Sequence, residues 1–183
     1  MGLTTLLSNS QSRGFIPLLF YPINILMQVD YIEKIPNITF DIKSLLVEFE
    51  NVKDKLTDVV DHGNAVLVQK KFHLMKSRRF TDDIKSMPYT KLVAQQLLPV
   101  SYFDSVNFRY VMPNTCYNWH VDKGQLCMHI PLVTNEGSWF IYENKSISMP
   151  ADGSVYMVNN GRPHTFINAG KEPRLHLTFE ILD

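Results

Sequence analysis

Arg174-Leu175-His176-Leu177-Thr178-Phe179-Glu180-Ile181 is the stretch whose reading decides the fold. Apolar Leu175, Leu177, Phe179 and Ile181 alternate with Arg174, His176, Thr178 and Glu180, which predicts a half-buried strand carrying a guanidinium on its polar face. Upstream, short runs of the same character occupy residues 106–112, 118–122, 125–133, 138–142, 145–149, 154–158 and 164–168. Turn residues separate them at Asn135-Glu136-Gly137, Asp152-Gly153 and Asn159-Asn160-Gly161. So many short strands in succession predict a double-sheet jelly roll, a scaffold that can hold a ligand between its sheets.

The preceding part of the chain reads differently. Ile42, Leu45, Leu46, Phe49, Val52 and Leu56 recur at helical spacing behind Asp41, so residues 41–56 predict a capped amphipathic helix lying on a sheet. Residues 64–71 alternate weakly as a strand, and residues 89–98 predict a second helix with Pro88 at its start. The fold expected is mainly β with flanking helices: a cupin-like jelly-roll core over an N-terminal α/β layer.

A chain of 183 residues bounds this to one domain, placed here at 27–183 with the motif-bearing core at 105–182. Residues 1–26 form an N-terminal extension. Its apolar run over 14–27 is too short for a membrane span and carries Pro17 and Pro22. It reads either as an extended segment packed on the domain or as sequence preceding a start at Met27. The formal net charge of zero gives no pull toward nucleic acid or anionic membranes. The basic run from Lys70 to Arg79 is followed by Asp82 and Asp83 and is expected to be a solvated loop or helix end. Two cysteines, Cys116 and Cys127, point to reduced thiols in a cytoplasmic setting.

The chemistry is carried by Trp119-His120-Val121-Asp122, by Pro163-His164, and by Arg174, ten residues beyond that second histidine. Two imidazoles and one carboxylate on one face of an octahedral metal leave positions open, the arrangement that non-haem Fe(II) oxygenases use. In an extended segment His120 and Asp122 point to one side and can share an ion, while His164 must come from elsewhere in the fold. A planar, permanently charged fork at Arg174 suits a carboxylate, such as the distal one of 2-oxoglutarate.

These ligands, the segment Met128-His129-Ile130-Pro131-Leu132-Val133-Thr134-Asn135, and the closing residues 164–168 and 173–177 resemble the aspartyl/asparaginyl β-hydroxylase family. That family includes free-proline cis-hydroxylases and is a branch of the 2-oxoglutarate/Fe(II) oxygenases. The resemblance implies the double-stranded β-helix fold, iron on His120, Asp122 and His164, and the distal carboxylate of 2-oxoglutarate on Arg174. It also implies that His129 helps to hold the co-substrate and that O2 takes the remaining metal position. Animal peptidyl aspartyl hydroxylases of the family have a glycine where Asp122 stands and an arginine where Cys127 stands, so this chain looks more like the amino-acid-hydroxylase side.

The expected activity is therefore hydroxylation of an unactivated C–H of an amino acid, free or within a peptide or protein. Trp119 and Trp139 are candidate walls of a substrate pocket, as are Tyr117, Phe140 and Tyr142. Arg109 reads either as a contact for a substrate carboxylate or as a solvated edge residue, the second being favoured. His176 and Thr178 share the face of Arg174 and either line the pocket or pack structurally. A non-catalytic jelly-roll module with a structural or incidental metal is the alternative from another class, and metal-assisted hydrolysis a third; neither assigns a role to Arg174.

Overall fold

The computed structural model describes residues 29–59, 69–97, 103–122 and 126–181. Two antiparallel sheets face each other. The major sheet contains β1 (Ile32–Thr39), β2 (Thr57–Asp58), β3 (Gln69–Lys76), β4 (Arg79–Phe80), β5 (Phe103–Val111), β7 (Leu126–Val133), β10 (Ser154–Asn159) and β12 (Arg174–Ile181). Its order is β1-β10-β7-β12-β5-β3-β2, with β4 paired to β3. The minor sheet contains β6 (Thr115–Cys116), β8 (Ser138–Tyr142), β9 (Lys145–Ile147) and β11 (His164–Asn168), in the order β6-β11-β8-β9.

Two helices, α1 (Ile42–Glu50) and α2 (Pro88–Leu97), cover the outer face of the major sheet. Leu45, Phe49, Val93, Ala94 and Leu97 pack there against Phe72, Leu74, Phe108, Met128, Ile130, Leu175, Leu177 and Phe179, and this is the main core. The Asp41 side chain accepts from the Lys43 amide and caps α1. Glu48, buried on α1, accepts from the amides of Tyr89 and Thr90 and satisfies the start of α2. The helix predicted over 41–56 therefore ends early, at Glu50, and a short 3-10 turn at Lys53–Lys55 follows.

The inner face of the major sheet meets the minor sheet over a smaller apolar cluster of Val111, Phe140, Tyr142, Met149, Tyr156, Val158 and Phe166. Fully buried Asn168 ties the layers: its amide donates to the carbonyls of Val111, Met112 and Glu172, and its carbonyl accepts from Asn135 and Ser138.

Three further sequence expectations change, and one strand is new. β12 is buried along most of its length because it lies between β5 and β7, so its polar face is the interior of the jelly roll and not solvent. The basic run is no loop: most of it is β3, turning through Ser77 and Arg78 into β4. Residues 118–122 form no strand but an isolated antiparallel bridge between His120 and His164. β1, which carries Pro36, was not foreseen and pairs with β10 through an irregular register between Lys34 and Thr39. The apolar run over 14–27 and most of the strand expected at 64–71 lie outside the described residues. No helix among the described residues is long and apolar enough to cross a membrane.

Candidate metal centre

His164 opens β11, and its amide and carbonyl exchange hydrogen bonds with those of His120 at 3.0 Å in each direction. This reciprocal bridge brings residues far apart in sequence face to face, with imidazole centroids 4.3 Å apart. The Asp122 amide donates to the Asn160 carbonyl at 3.0 Å, anchoring the next ligand to the turn that follows β10. One ligand atom from each of His120, Asp122 and His164 lies within 4.8 Å of the other two, and His120 Nε2 is 3.7 Å from Asp122 Oδ1.

Each ligand is held by a second partner. His120 Nδ1 lies 2.7 Å from the Asn118 carbonyl and His164 Nδ1 lies 2.8 Å from the Arg162 carbonyl, so both rings donate through Nδ1 and turn a bare Nε2 inward. Asn160 Nδ2 donates to Asp122 Oδ2 at 3.0 Å, leaving Oδ1 for a cation. Burial lowers the pKa of His164 and favours the neutral, ligating form. Phe140 stacks on the His164 ring at 5.0 Å and 16° between planes, closing the site on its minor-sheet side. A set of two imidazole nitrogens and one carboxylate, oriented in this way, fits a divalent transition metal.

In the chamber between the two sheets lies Arg174, 5% exposed. Its guanidinium sits 3.8 Å over the Phe166 ring, its Nε donates to His176 Nε2 at 2.8 Å, and among the described residues no carboxylate pairs with it. Burial pushes its pKa down to about 9, so at neutral pH the cation remains charged without a counter-ion. Burial, followed by the nearby Arg174 charge, holds both His129 and His176 well below the ordinary histidine range. They are neutral neighbours, with their Nδ1 atoms 3.1 Å apart.

Arg109 is not the solvated edge residue that the sequence suggested. It projects from interior strand β5 into the chamber, directly across from His176 on β12, and pairs with Glu180. Trp119 and Val121 alternate outward from the ligand segment, 56% and 55% exposed. Trp139 lies on the outer face of the minor sheet, 39% exposed, while its neighbour Phe140 faces inward; its indole donates to the Glu136 carbonyl. Both cysteines are free thiols, Cys116 exposed and Cys127 buried. Sequence reasoning passed over Asn160, Lys71 and Glu180. Each stands in a pattern that points elsewhere: Asn160 in an Asn-Asn-Gly turn, Lys71 in the basic run, and Glu180 on the polar face of β12.

The sequence matches the aspartyl/asparaginyl β-hydroxylase family over residues 33–183. This chain belongs to that family. It is thus an enzyme of the oxygenase/hydroxylase kind. No curated protein matches the sequence. Solved structures with a similar fold include a 2-oxoglutarate-Fe(II) oxygenase family member from Burkholderia pseudomallei, with 12% identity, a TM-score of 0.58 and 86% of each chain covered. A prolyl-4-hydroxylase from Pseudomonas putida shares 14% identity at a TM-score of 0.57, covering 88% of this chain and 97% of its own. The viral collagen prolyl hydroxylase of Paramecium Bursaria Chlorella virus-1, in complex with 2-oxoglutarate, shares 13% identity at a TM-score of 0.54, covering 82% and 94%.

Proposed function

We propose that this hydroxylase is an Fe(II)- and 2-oxoglutarate-dependent dioxygenase acting on an unactivated C–H of an amino acid, free or within a peptide or protein, with release of succinate and CO2. The observation that carries the reading is the pairing, between the two sheets, of a preoriented His-Asp-His set with a buried cation that has no acid partner among the described residues. A buried charge without a counter-ion costs several kcal/mol, and a dicarboxylate reaching from the metal set to Arg174 supplies that counter-ion.

Iron held there would supply the redox chemistry for oxidative decarboxylation of the 2-oxo acid with dioxygen. The protein's residues do the rest. His120, Asp122 and His164 would hold the ion, the two histidines through Nε2 and Asp122 through a carboxylate oxygen. Arg174 takes the distal carboxylate as a charge-assisted pair. Neutral His129 and His176 offer hydrogen bonds beside Arg174 without adding to its charge. Phe140, Phe166 and Tyr142 wall the chamber against bulk water, which protects the reaction from unproductive oxidation. Trp119 is a candidate substrate contact on the exposed segment that carries His120. Trp139, on the outer face, takes no part.

The test is an anaerobic titration with Fe(II) and 2-oxoglutarate, following the visible charge-transfer band of the chelate. The expected result is a band that requires both additions and is absent in Asp122→Ala. A folded, metal-loaded wild type without the band would overturn the proposal in favour of a non-catalytic module.

A further inference from the structure

Lys71 on β3 and Arg109 on β5 are direct Cα partners, so two cations stand side by side on the inner face of the sheet. Like charges directly opposite one another destabilise a sheet unless an anion intervenes. One does: Glu180 pairs with Arg109, and its Oε1 lies 4.0 Å from Lys71 Nζ. A single carboxylate serves two cations, and the cluster is left with one positive charge in excess.

Glu180 has little more to give. Ser105 Oγ donates to its Oε2 at 2.6 Å, and Asn107 Nδ2 reaches its Oε1 at 3.5 Å while also donating to Ser105 Oγ at 2.9 Å. The carboxylate is therefore pinned on the Arg109 side, and its contact with Lys71 sits at the outer limit of an ion pair. Arg109 Nε is buried and has no hydrogen-bond acceptor among the described residues. Burial, reinforced by Arg109, pushes the Lys71 pKa down to about 8, because the attraction of Glu180 does not offset those two effects. Arg109 lies directly across from His176, which contacts Arg174, so the pair stands on the face of the sheet that looks toward the metal ligands. Arg174, with its own stack on Phe166, is a separate anion position in the chamber between the sheets.

We propose that Lys71 and Arg109, with Arg109 positioned by Glu180, form the binding site for a carboxylate of the substrate. The inference rests on the oxygenase reading and narrows its substrate to a molecule with a carboxylate near the carbon to be oxidised. Lys71 contributes a mobile ammonium and Arg109 the unfilled Nε–H, and together they hold one carboxylate as charge-assisted hydrogen bonds. The carboxylate is either the α-carboxylate of a free amino acid or an acidic side chain within a peptide.

The experiment is calorimetric titration of the full chain, loaded anaerobically with Fe(II) and 2-oxoglutarate. The probes are L-proline and its α-carboxamide, and a peptide with both termini blocked that carries aspartate or, as its amide counterpart, asparagine. Wild type is expected to bind proline or the blocked aspartate peptide roughly tenfold to a hundredfold more tightly than its amide counterpart. Lys71→Met removes the preference without changing affinity for the amides, and Lys71→Arg restores it. Binding of free proline alone identifies an α-carboxylate, and binding of the blocked aspartate peptide identifies a side-chain one. Equal affinity for acids and amides in wild type overturns the proposal, whatever the folding of the variants. So does a preference that survives Lys71→Met, and so does a wild type that shows the chelate band but binds no probe. Absence of the band itself refutes the oxygenase reading instead.

Discussion

Replacing Arg174 with Met should move stability and co-substrate affinity in opposite directions. The guanidinium is almost fully buried, pairs with no carboxylate among the described residues, and has its pKa pushed down to about 9 by desolvation. That displacement corresponds to roughly 4–5 kcal/mol against the charged form at neutral pH. The sign follows from the direction: a cation whose folded pKa is depressed destabilises the fold at every pH below that pKa. Part of the penalty is offset by the stack on Phe166, worth about 1–2 kcal/mol for a desolvated cation over an aromatic ring, and by the contacts to His176. Met has similar length and no charge, so the apo protein should gain about 1–2 kcal/mol on net, a rise of several degrees in Tm for a domain of this size. Binding of 2-oxoglutarate should weaken by about 2–3 kcal/mol, roughly 30- to 150-fold, for the lost charge-assisted pair. Thermal melting without ligand and anaerobic titration of the chelate band measure the two effects on one preparation. A variant that melts below wild type while keeping its 2-oxoglutarate affinity would refute the reasoning, since Arg174 would then be a structural residue.

Asn160→Ala removes the donor that fixes Asp122 Oδ2 and should weaken metal binding by about 10- to 100-fold, measured by Co(II) titration. His129 and His176 are held neutral in the fold with pKa values well below 6.5, so the unfolded chain takes up protons there that the folded one does not. Stability should therefore fall as pH drops below about 6.5, by about 1.4 kcal/mol per pH unit for each histidine. Denaturant unfolding at pH 7 and pH 5.5 measures this, and His176→Asn should flatten the slope by one proton. Gly153 has φ +83°, and a Cβ there would lie 2.3 Å from the Phe40 carbonyl oxygen, so Gly153→Ala should cost about 2 kcal/mol or more, read from the denaturation midpoint.

Several elements were legible in the sequence because one physical signal dominated them. Strands β8, β11 and β12 have the bounds that alternation and turn residues predict. Asp41 announces α1 because a capping side chain acts through its own neighbours. The pairing of His120 and Asp122 follows from extended backbone, even though that backbone is a lone bridge. What was missed depends on context that no local window contains. Alternation at β12 shows that one face is polar but cannot show that a second sheet covers it. Lys70, Lys71 and His73 give β3 the charge density of a solvated loop; Lys70 pairs with Asp58 and His73 is exposed, while Lys71 alone turns toward Arg109 and Glu180. Arg109 read as an edge residue because its pairing partner, Glu180, lies on a strand far along the chain. Asn160 orients Asp122 through a contact that a turn pattern does not encode.

The reciprocal backbone bridge between His120 and His164 is formed by amides and carbonyls alone, and no side-chain ligand atom takes part in it. A metal therefore finds its two imidazoles already side by side, and little of its binding energy goes into ordering the chain. A cage assembled in advance by the backbone is also indifferent to which divalent ion fills it, and nitrogen and oxygen donors bind several first-row metals more tightly than Fe(II). Which metal the enzyme carries is then decided by what is available when the chain folds, and mismetallation by zinc or copper becomes the natural way in which this site fails.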